Sequence, residues 1–386
     1  PPKQLDRLRA VRARRRTAAA AIGALVALGL PTGMLGVAWP SIRDALGAPL
    51  AGLGVLLTAM TIAQFGASTF SGAIRDRIGT TLVLLLPALL AAIGLALFAV
   101  ATDWIVITLA AAVLGAGVGL LDAAVNTEAA LRRGVRFMAA LHAAWAAGAS
   151  LGPVIITFAI VGIGSWRAGF AVSGIAFVVV ASAIYLLRTD LEQAPQHPTA
   201  PATSGISLLL SGIALMFVYV GVELGAGQWA YTRFTAAAEL ETTTAATAVF
   251  FYWAALGAGR IVLAIVGDRL SARRWLDLSV GGAVIATLAF TVLPVDLAAL
   301  VALPCLGASL SVFVPVLIYL TPQRVGHDAA PRAIGYMVAA GMLGGATIPA
   351  TIGVVMQTAG VATLGPALAL LALILAAIHV AASRRS

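Results

Sequence analysis

The chain has 386 residues, 61% of them hydrophobic and 10% charged, with a mean hydropathy of +1.02. One soluble core cannot hide that much apolar surface, so the composition excludes a water-soluble globular protein and requires an integral membrane protein. The net charge of +9 sits in short clusters between apolar runs, which fits membrane-flanking loops and argues against nucleic acid as a partner.

In chain order the apolar runs are Thr17 to Trp39, Leu50 to Gly72, Thr81 to Ala101, Trp104 to Asn126, Phe137 to Ile163 and Trp166 to Leu187. Six more follow: Ile206 to Phe234, Thr242 to Val266, Leu276 to Leu293, Leu297 to Leu320, Ile334 to Met356 and Leu364 to Ala382. Each is long enough to cross a bilayer as a helix, which predicts an all-α fold of twelve transmembrane helices with both termini on one side. The first run follows basic residues but is too long for a signal-peptide core and lacks a convincing cleavage site, so it is read as a spanning helix.

Placing the N-terminus in the cytoplasm puts 20 of the 24 basic residues on the inner side, leaving Arg43, Arg167 and Arg233 outside and Arg260 within the eighth run. That bias predicts cytoplasmic termini in the cell (inner) membrane. Pro195, Pro198 and Pro201 mark Arg188 to Ser204 as a hydrophilic linker. The organisation expected is a basic segment 1–16, a six-helix bundle 17–187, a linker 188–205 and a second bundle 206–383. The Arg-rich N-terminus suits anionic lipid headgroups. Cys305 is the single cysteine, so no disulfide framework or thiol metal site is expected.

Gly115, Gly119, Asp122 and Asn126 recur at helical spacing, which makes one face of the fourth run small and polar. An ionised Asp122 at membrane depth costs ~2.5–3.5 kcal/mol on insertion scales, so such an acid is a functional candidate by default. Burial penalises its charged form, which suits a group that gains and loses a proton. The competing reading is a structural acid that fixes helix packing through Asn126. Glu223 shares a face with Tyr219, Gly227 and Tyr231 in the seventh run, where aromatic rings beside a carboxylate suit a small amphipathic or sugar-like ligand. Thr58, Thr61, Gln64 and Ser68 form a polar arc on the second run, facing either water or a neighbouring helix. His142 and Trp145 form a cavity pair or an interfacial one. Glu128 is four residues before Arg132 and pairs with it on helical geometry. Arg260 reads as a gate or a snorkelling anchor near a helix end.

Asp76-Arg77 after the second run recurs as Asp268-Arg269 after the eighth, which implies two related halves. Gly72-Ala-Ile-Arg-Asp76-Arg77-Ile-Gly79 resembles the G-x-x-x-D-R-x-G signature of the major facilitator superfamily, with Gly267-Asp268-Arg269 similar to its weaker second copy. The resemblance implies a gate built from Gly72, Asp76, Arg77, Gly79, Asp268 and Arg269. Within the superfamily the chain resembles the fucose permease-like branch. The carriers of that likeness are Asp122 and Asn126, the segment from Leu141 through His142, Trp145, Gly148 and Gly152 to Pro153, and Tyr219, Gly221, Glu223 and Trp229. That branch has a second acid in helix one near the position of Gly36, and this chain has none there. The offset relating the two halves sets Glu223 opposite Pro31 of helix one, so Glu223 can supply the missing acid. The resemblance also implies that helices one, four, seven and ten line a central cavity.

These features lead to the expectation of a secondary active transporter, working as a monomer by alternating access. It would couple protons to a sugar-like solute through Asp122 and Glu223, with Asn126, His142, Trp145, Tyr219, Tyr231 and Gln64 as substrate contacts. A proton-driven exporter of amphipathic compounds, and a non-transporting membrane sensor or partner-binding subunit, are the alternatives. Enzymatic activity, cofactors and metals are not expected, because no P-loop and no His/Cys/Asp/Glu grouping with metal spacing is present.

Overall fold

A computed structural model describes residues 2–132, 135–187, 206–236, 240–325 and 330–384. The described residues are helical, without strands, and twelve of their helices are long and apolar enough to cross a membrane. In lipid this is the expected solution, since a helix satisfies its backbone hydrogen bonds internally. The helices are α1 (Pro2–Leu46), α2 (Gly52–Thr69), α3 (Ser71–Val100), α4 (Trp104–Arg132), α5 (Val135–Gly162), α6 (Trp166–Leu186), α7 (Ile206–Ala236), α8 (Thr242–Val266) and α9 (Ala272–Val292). The tenth span is assembled from α10 (Val295–Leu297), a π-helical turn at Ala298–Ala302, α11 (Leu303–Leu310) and α12 (Phe313–Val325). The chain closes with α13 (Ala330–Ala359) and α14 (Leu364–Ser383).

Helix α1 starts at Pro2 and runs unbroken to Leu46, so the basic segment and the first span share one helix. The tenth run is not one regular helix: the π turn interrupts it before Pro304, and the Ser311 hydroxyl bonds back to the Ala308 carbonyl where α11 gives way to α12. The expected linker 188–205 lies outside the described residues.

Helices α1 to α6 pack on one another, as do α7 to α14, and the two groups meet along α1 with α7, α2 with α13, and α5 with α8. Small residues permit the cross-group contacts. A Cβ on Gly36 would stand 2.5 Å from the Gln228 carbonyl oxygen, and one on Gly54 would stand 2.7 Å from the Ala350 Cα. Nearby, the Ala51 amide donates to Gln357 Oε1 at 2.8 Å. These contacts seal the groups together at the end of the bundle where α1 turns into α2. Gly115 and Gly119, predicted as a packing face, lie against the α2 backbone at Met60 and Gln64, which brings the acid-bearing face of α4 close to α2.

Gly79 bends α3 sharply, with φ +80° and ψ 168°, a conformation that essentially only glycine adopts. The last glycine of the repeated motif is therefore a backbone requirement. Arg77 and Arg269 are exposed at the ends of their turns. The side chains of Gly72, Asp76 and Asp268 lie outside the described residues.

Candidate functional site

A cavity of about 290 Å³ opens between the two helix groups. Its wall takes Leu25, Leu28, Pro31 and Thr32 from α1, Leu57, Met60, Thr61 and Gln64 from α2, and Val118 and Asp122 from α4. His142 and Trp145 of α5 complete this side, and opposite are Val220, Glu223, Leu224 and Gln228 of α7, Arg260 of α8 and Gly345 of α13. Thr61, Gln64, Val220 and Leu224 also line an adjoining recess with Met216, Val314, Val338, Gly341 and Met342, so the cavity extends away from the sealed end.

Asp122 reaches this space from the side that α4 turns toward α2. Asn126, one turn on, donates from Nδ2 to Asp122 Oδ1 at 3.0 Å and to the Asp122 backbone carbonyl at 2.9 Å. Asn126 thus touches the acid without itself lining the cavity, and its Oδ1 is buried without a hydrogen-bond partner among the described residues. The structural reading of Asn126 as a brace for Asp122 and the functional reading of Asp122 as a cavity acid are compatible, because one carboxylate does both.

Glu223 is placed by different neighbours. Tyr252 of α8 donates its hydroxyl to the Glu223 backbone carbonyl at 2.8 Å, fixing α7 against α8. The Glu223 carboxylate faces Arg260, with Oε1 to Nη2 at 3.7 Å and side chains only 7% and 12% exposed respectively. The Arg260 Cζ lies 5.7 Å from the Trp145 ring centroid, a cation–π contact that links the two helix groups. Trp145 in turn meets Trp253 edge-on, with centroids 5.8 Å apart.

The expected snorkelling of Arg260 is corrected by this geometry: the side chain turns inward because an acid one helix away and an aromatic face across the cavity both stabilise its charge. Tyr219 and Tyr231 are not among the cavity-lining residues. Tyr219 is fully buried, stacks on Phe313 with centroids 4.7 Å apart, and commits its hydroxyl to the Leu310 carbonyl at 2.9 Å. Tyr231 is only 4% exposed and packs in the core. Gly227, between them, receives the Trp253 ring, so this face of α7 is mostly turned to α8 and the broken tenth span.

Gln64, His142 and Trp145 line the cavity, as does Thr61, whereas the Thr58 and Ser68 hydroxyls bond back to Gly54 and Phe65 on their own helix. Glu128 accepts from Arg75 Nη2 at 2.7 Å, a partner on α3 that helical spacing within α4 did not suggest. Gln228 was missed. It is 2% exposed, donates from Nε2 to the Thr32 carbonyl across the helix groups at 2.8 Å, and leaves Oε1 without a partner among the described residues. The signal for it was available, since a glutamine inside an apolar run carries the same desolvation argument as an acid. No grouping of three or more potential metal ligands occurs among the described residues.

Among the described residues, twelve spans in two groups surround a largely apolar cavity that carries two acids and an arginine, and comparison with known proteins shows the family. The family model described as Major Facilitator Superfamily matches residues 21–349. The chain belongs to the Major Facilitator Superfamily. Its fold agrees with a solved D-xylose-proton symporter at a TM-score of 0.76 and 15% identity, covering 93% of this chain and 96% of that one. It also agrees with FucP, a Major Facilitator Superfamily transporter solved in the outward conformation, at 0.65 and 17%, covering 96% and 98%. A curated relative, the "Putative glucose/galactose transporter" of Helicobacter pylori, is 24% identical over 180 residues, and the match spans 46% of this chain and 44% of that one. The protein is therefore a multi-pass membrane protein of a solute-transporting superfamily.

Proposed function

We propose that the protein moves a small polar, sugar-like solute across the cytoplasmic membrane by alternating access, coupled to protons through Asp122 and Glu223. The observation that carries this reading is the shared cavity: two acids from opposite helix groups line one space together with Gln64, His142, Trp145 and Gln228. At about 290 Å³ the space is at the small end of ligand sites, typically ~300–1,000 Å³, which fits a compact solute. Proton carriage follows from desolvation: a carboxyl that is neutral can be enclosed, whereas an ionised one without a counter-charge holds the cavity to water.

With the termini in the cytoplasm, as the distribution of basic residues favours, the sealed end is the outer one and the cavity faces inward. Transport then requires Gly36 and Gly54 to part from Gln228 and Ala350 while the opposite end closes. The repeated Asp76-Arg77 and Asp268-Arg269 turns serve as the inner gate, with Gly79 providing the tight bend. The basic start of α1 meets anionic lipid headgroups. The protein works as a monomer and needs no cofactor.

Export of amphipathic compounds is a second reading, favoured by Leu25, Leu28, Met60, Val118, Val220 and Leu224 on the same wall. Uptake of labelled sugars and efflux of a lipophilic dye, each measured in proteoliposomes with and without a pH gradient, separate the two. Gradient-dependent sugar accumulation supports the proposal. Gradient-dependent dye movement without sugar uptake supports the exporter, and neither would contradict both.

A further inference from the structure

An arginine at membrane depth is costly unless its charge is used. Arg260 is nearly enclosed, yet its use within the protein is incomplete. Its Nη2 stands 3.7 Å from Glu223 Oε1, too far for a hydrogen bond, and its buried Nε has no hydrogen-bond partner among the described residues. Buried polar groups in native proteins are generally satisfied, and Arg260 lines the cavity, so the incompletely used guanidinium points to something that enters the cavity. A guanidinium presents five N–H groups in a planar fork, and the group that fills such a fork is a carboxylate, taken through two parallel hydrogen bonds. Trp145 holds the guanidinium from the opposite helix group, 5.7 Å from Cζ to ring centroid.

We propose that Arg260 anchors an acidic solute, a polyhydroxylated monocarboxylate of the sugar-acid class, and that the solute and Glu223 compete for this one cation. The inference rests on the transport reading above and names its substrate. The titratable groups around Glu223 and Arg260 are Asp122 on α4, His142 on α5, Tyr219 on α7 and Tyr252 on α8. Tyr252 commits its hydroxyl to the Glu223 backbone carbonyl, and Tyr219, which donates to the Leu310 carbonyl, also lies against Glu223 and Arg260 but carries no charge to replace the guanidinium. With Asp122 and Glu223 both ionised, the cavity carries one more negative charge than positive and repels an anion. A solute carboxylate that takes the fork leaves Glu223 without a counter-charge, and an uncompensated carboxylate in an enclosed site is stable only with a proton bound. Anion and proton therefore enter together. When the solute leaves, Arg260 returns to Glu223 and the carboxyl proton passes back to water; the only covalent bond formed and broken is that O–H.

The test uses the purified full chain, titrated with D-galacturonate, D-gluconate and D-galactose, with tryptophan fluorescence for binding and a pH indicator in weak buffer for proton uptake. The acids should bind at least about tenfold more tightly than galactose, with about one proton taken up per acid bound. Arg260→Lys keeps the charge but loses the fork, and should weaken acid binding by about tenfold or more. Glu223→Gln should bind the acids without proton uptake. Galactose binding as tightly as the acids, absence of acid binding, or undiminished proton uptake in Glu223→Gln overturns the inference. The wild-type comparison of acid with neutral sugar decides it even where a variant fails to fold. If galactose binds instead and accumulates in proteoliposomes under a pH gradient, proton-coupled transport stands and only the acidic solute is lost. If neither sugar nor acid accumulates under any gradient, both readings fail.

Discussion

Arg260 and Glu223 face each other at 3.7 Å with both side chains almost withdrawn from solvent, an ion pair that is not also a hydrogen bond. Removing one member of such a pair leaves the other charge buried alone, a cost of about 3–5 kcal/mol, whereas removing both can be nearly neutral. Arg260→Gln and Glu223→Gln should each lower the apparent melting temperature of the detergent-solubilised protein, and the double variant should recover part of the loss. A double variant no more stable than the sum of the two losses would show that the pair does not couple.

In the proposed orientation the sealed end is the outer one, and its closure depends on Gly54, where an added Cβ would stand 2.7 Å from the Ala350 Cα, backed by the Ala51 to Gln357 hydrogen bond at 2.8 Å. Gly54→Leu should hold α2 and α13 apart and bias the protein to the outward-facing state. The check is labelling of a cysteine placed at Gln64 in a Cys305→Ser background. An impermeant maleimide added outside should react several-fold faster in the Gly54→Leu protein, with solute exchange correspondingly slowed. Equal labelling rates would mean that this contact does not set the closed state.

Arg75 and Glu128 join α3 to α4 at 2.7 Å, with side chains 20% and 12% exposed. The bond ties the start of the Gly79 bend to the helix that carries Asp122. Glu128→Gln removes the charge and keeps the shape, so the expected loss is about 1–3 kcal/mol of local stabilisation. Turnover should fall several-fold while solute affinity stays within about twofold, because the cavity wall is untouched. An affinity loss as large as the rate loss would place Glu128 in binding instead.

Sequence alone exposed the spans, since apolar runs of membrane length leave few alternatives to helices, and it exposed Asp122 and Glu223, since isolated acids in such runs are conspicuous. Gly79 was legible through the motif, and its positive φ explains why that position takes no side chain. Arg260 was misread because a basic residue a few positions from a helix end can reach water, and only the neighbouring positions of Glu223 and Trp145 reveal that it turns inward. Tyr219 and Tyr231 share a helical face with Glu223, but a helical face is wider than a cavity wall, and the rings are consumed by packing against the tenth span and the core. Arg75 and Glu128 meet across two helices, a contact that spacing along one helix has no means of indicating.

Asp122 is the acid whose carboxylate meets a neutral amide, Asn126, rather than a cation. In the proposed function it carries protons beside Glu223, and gradient-driven transport requires its protonation as well as that of Glu223. In proteoliposomes carrying Asp122→Asn, a pH gradient should no longer drive solute accumulation, while exchange of internal for external solute should continue at a rate within a few-fold of wild type. Accumulation at the wild-type level in that variant would contradict proton carriage by Asp122.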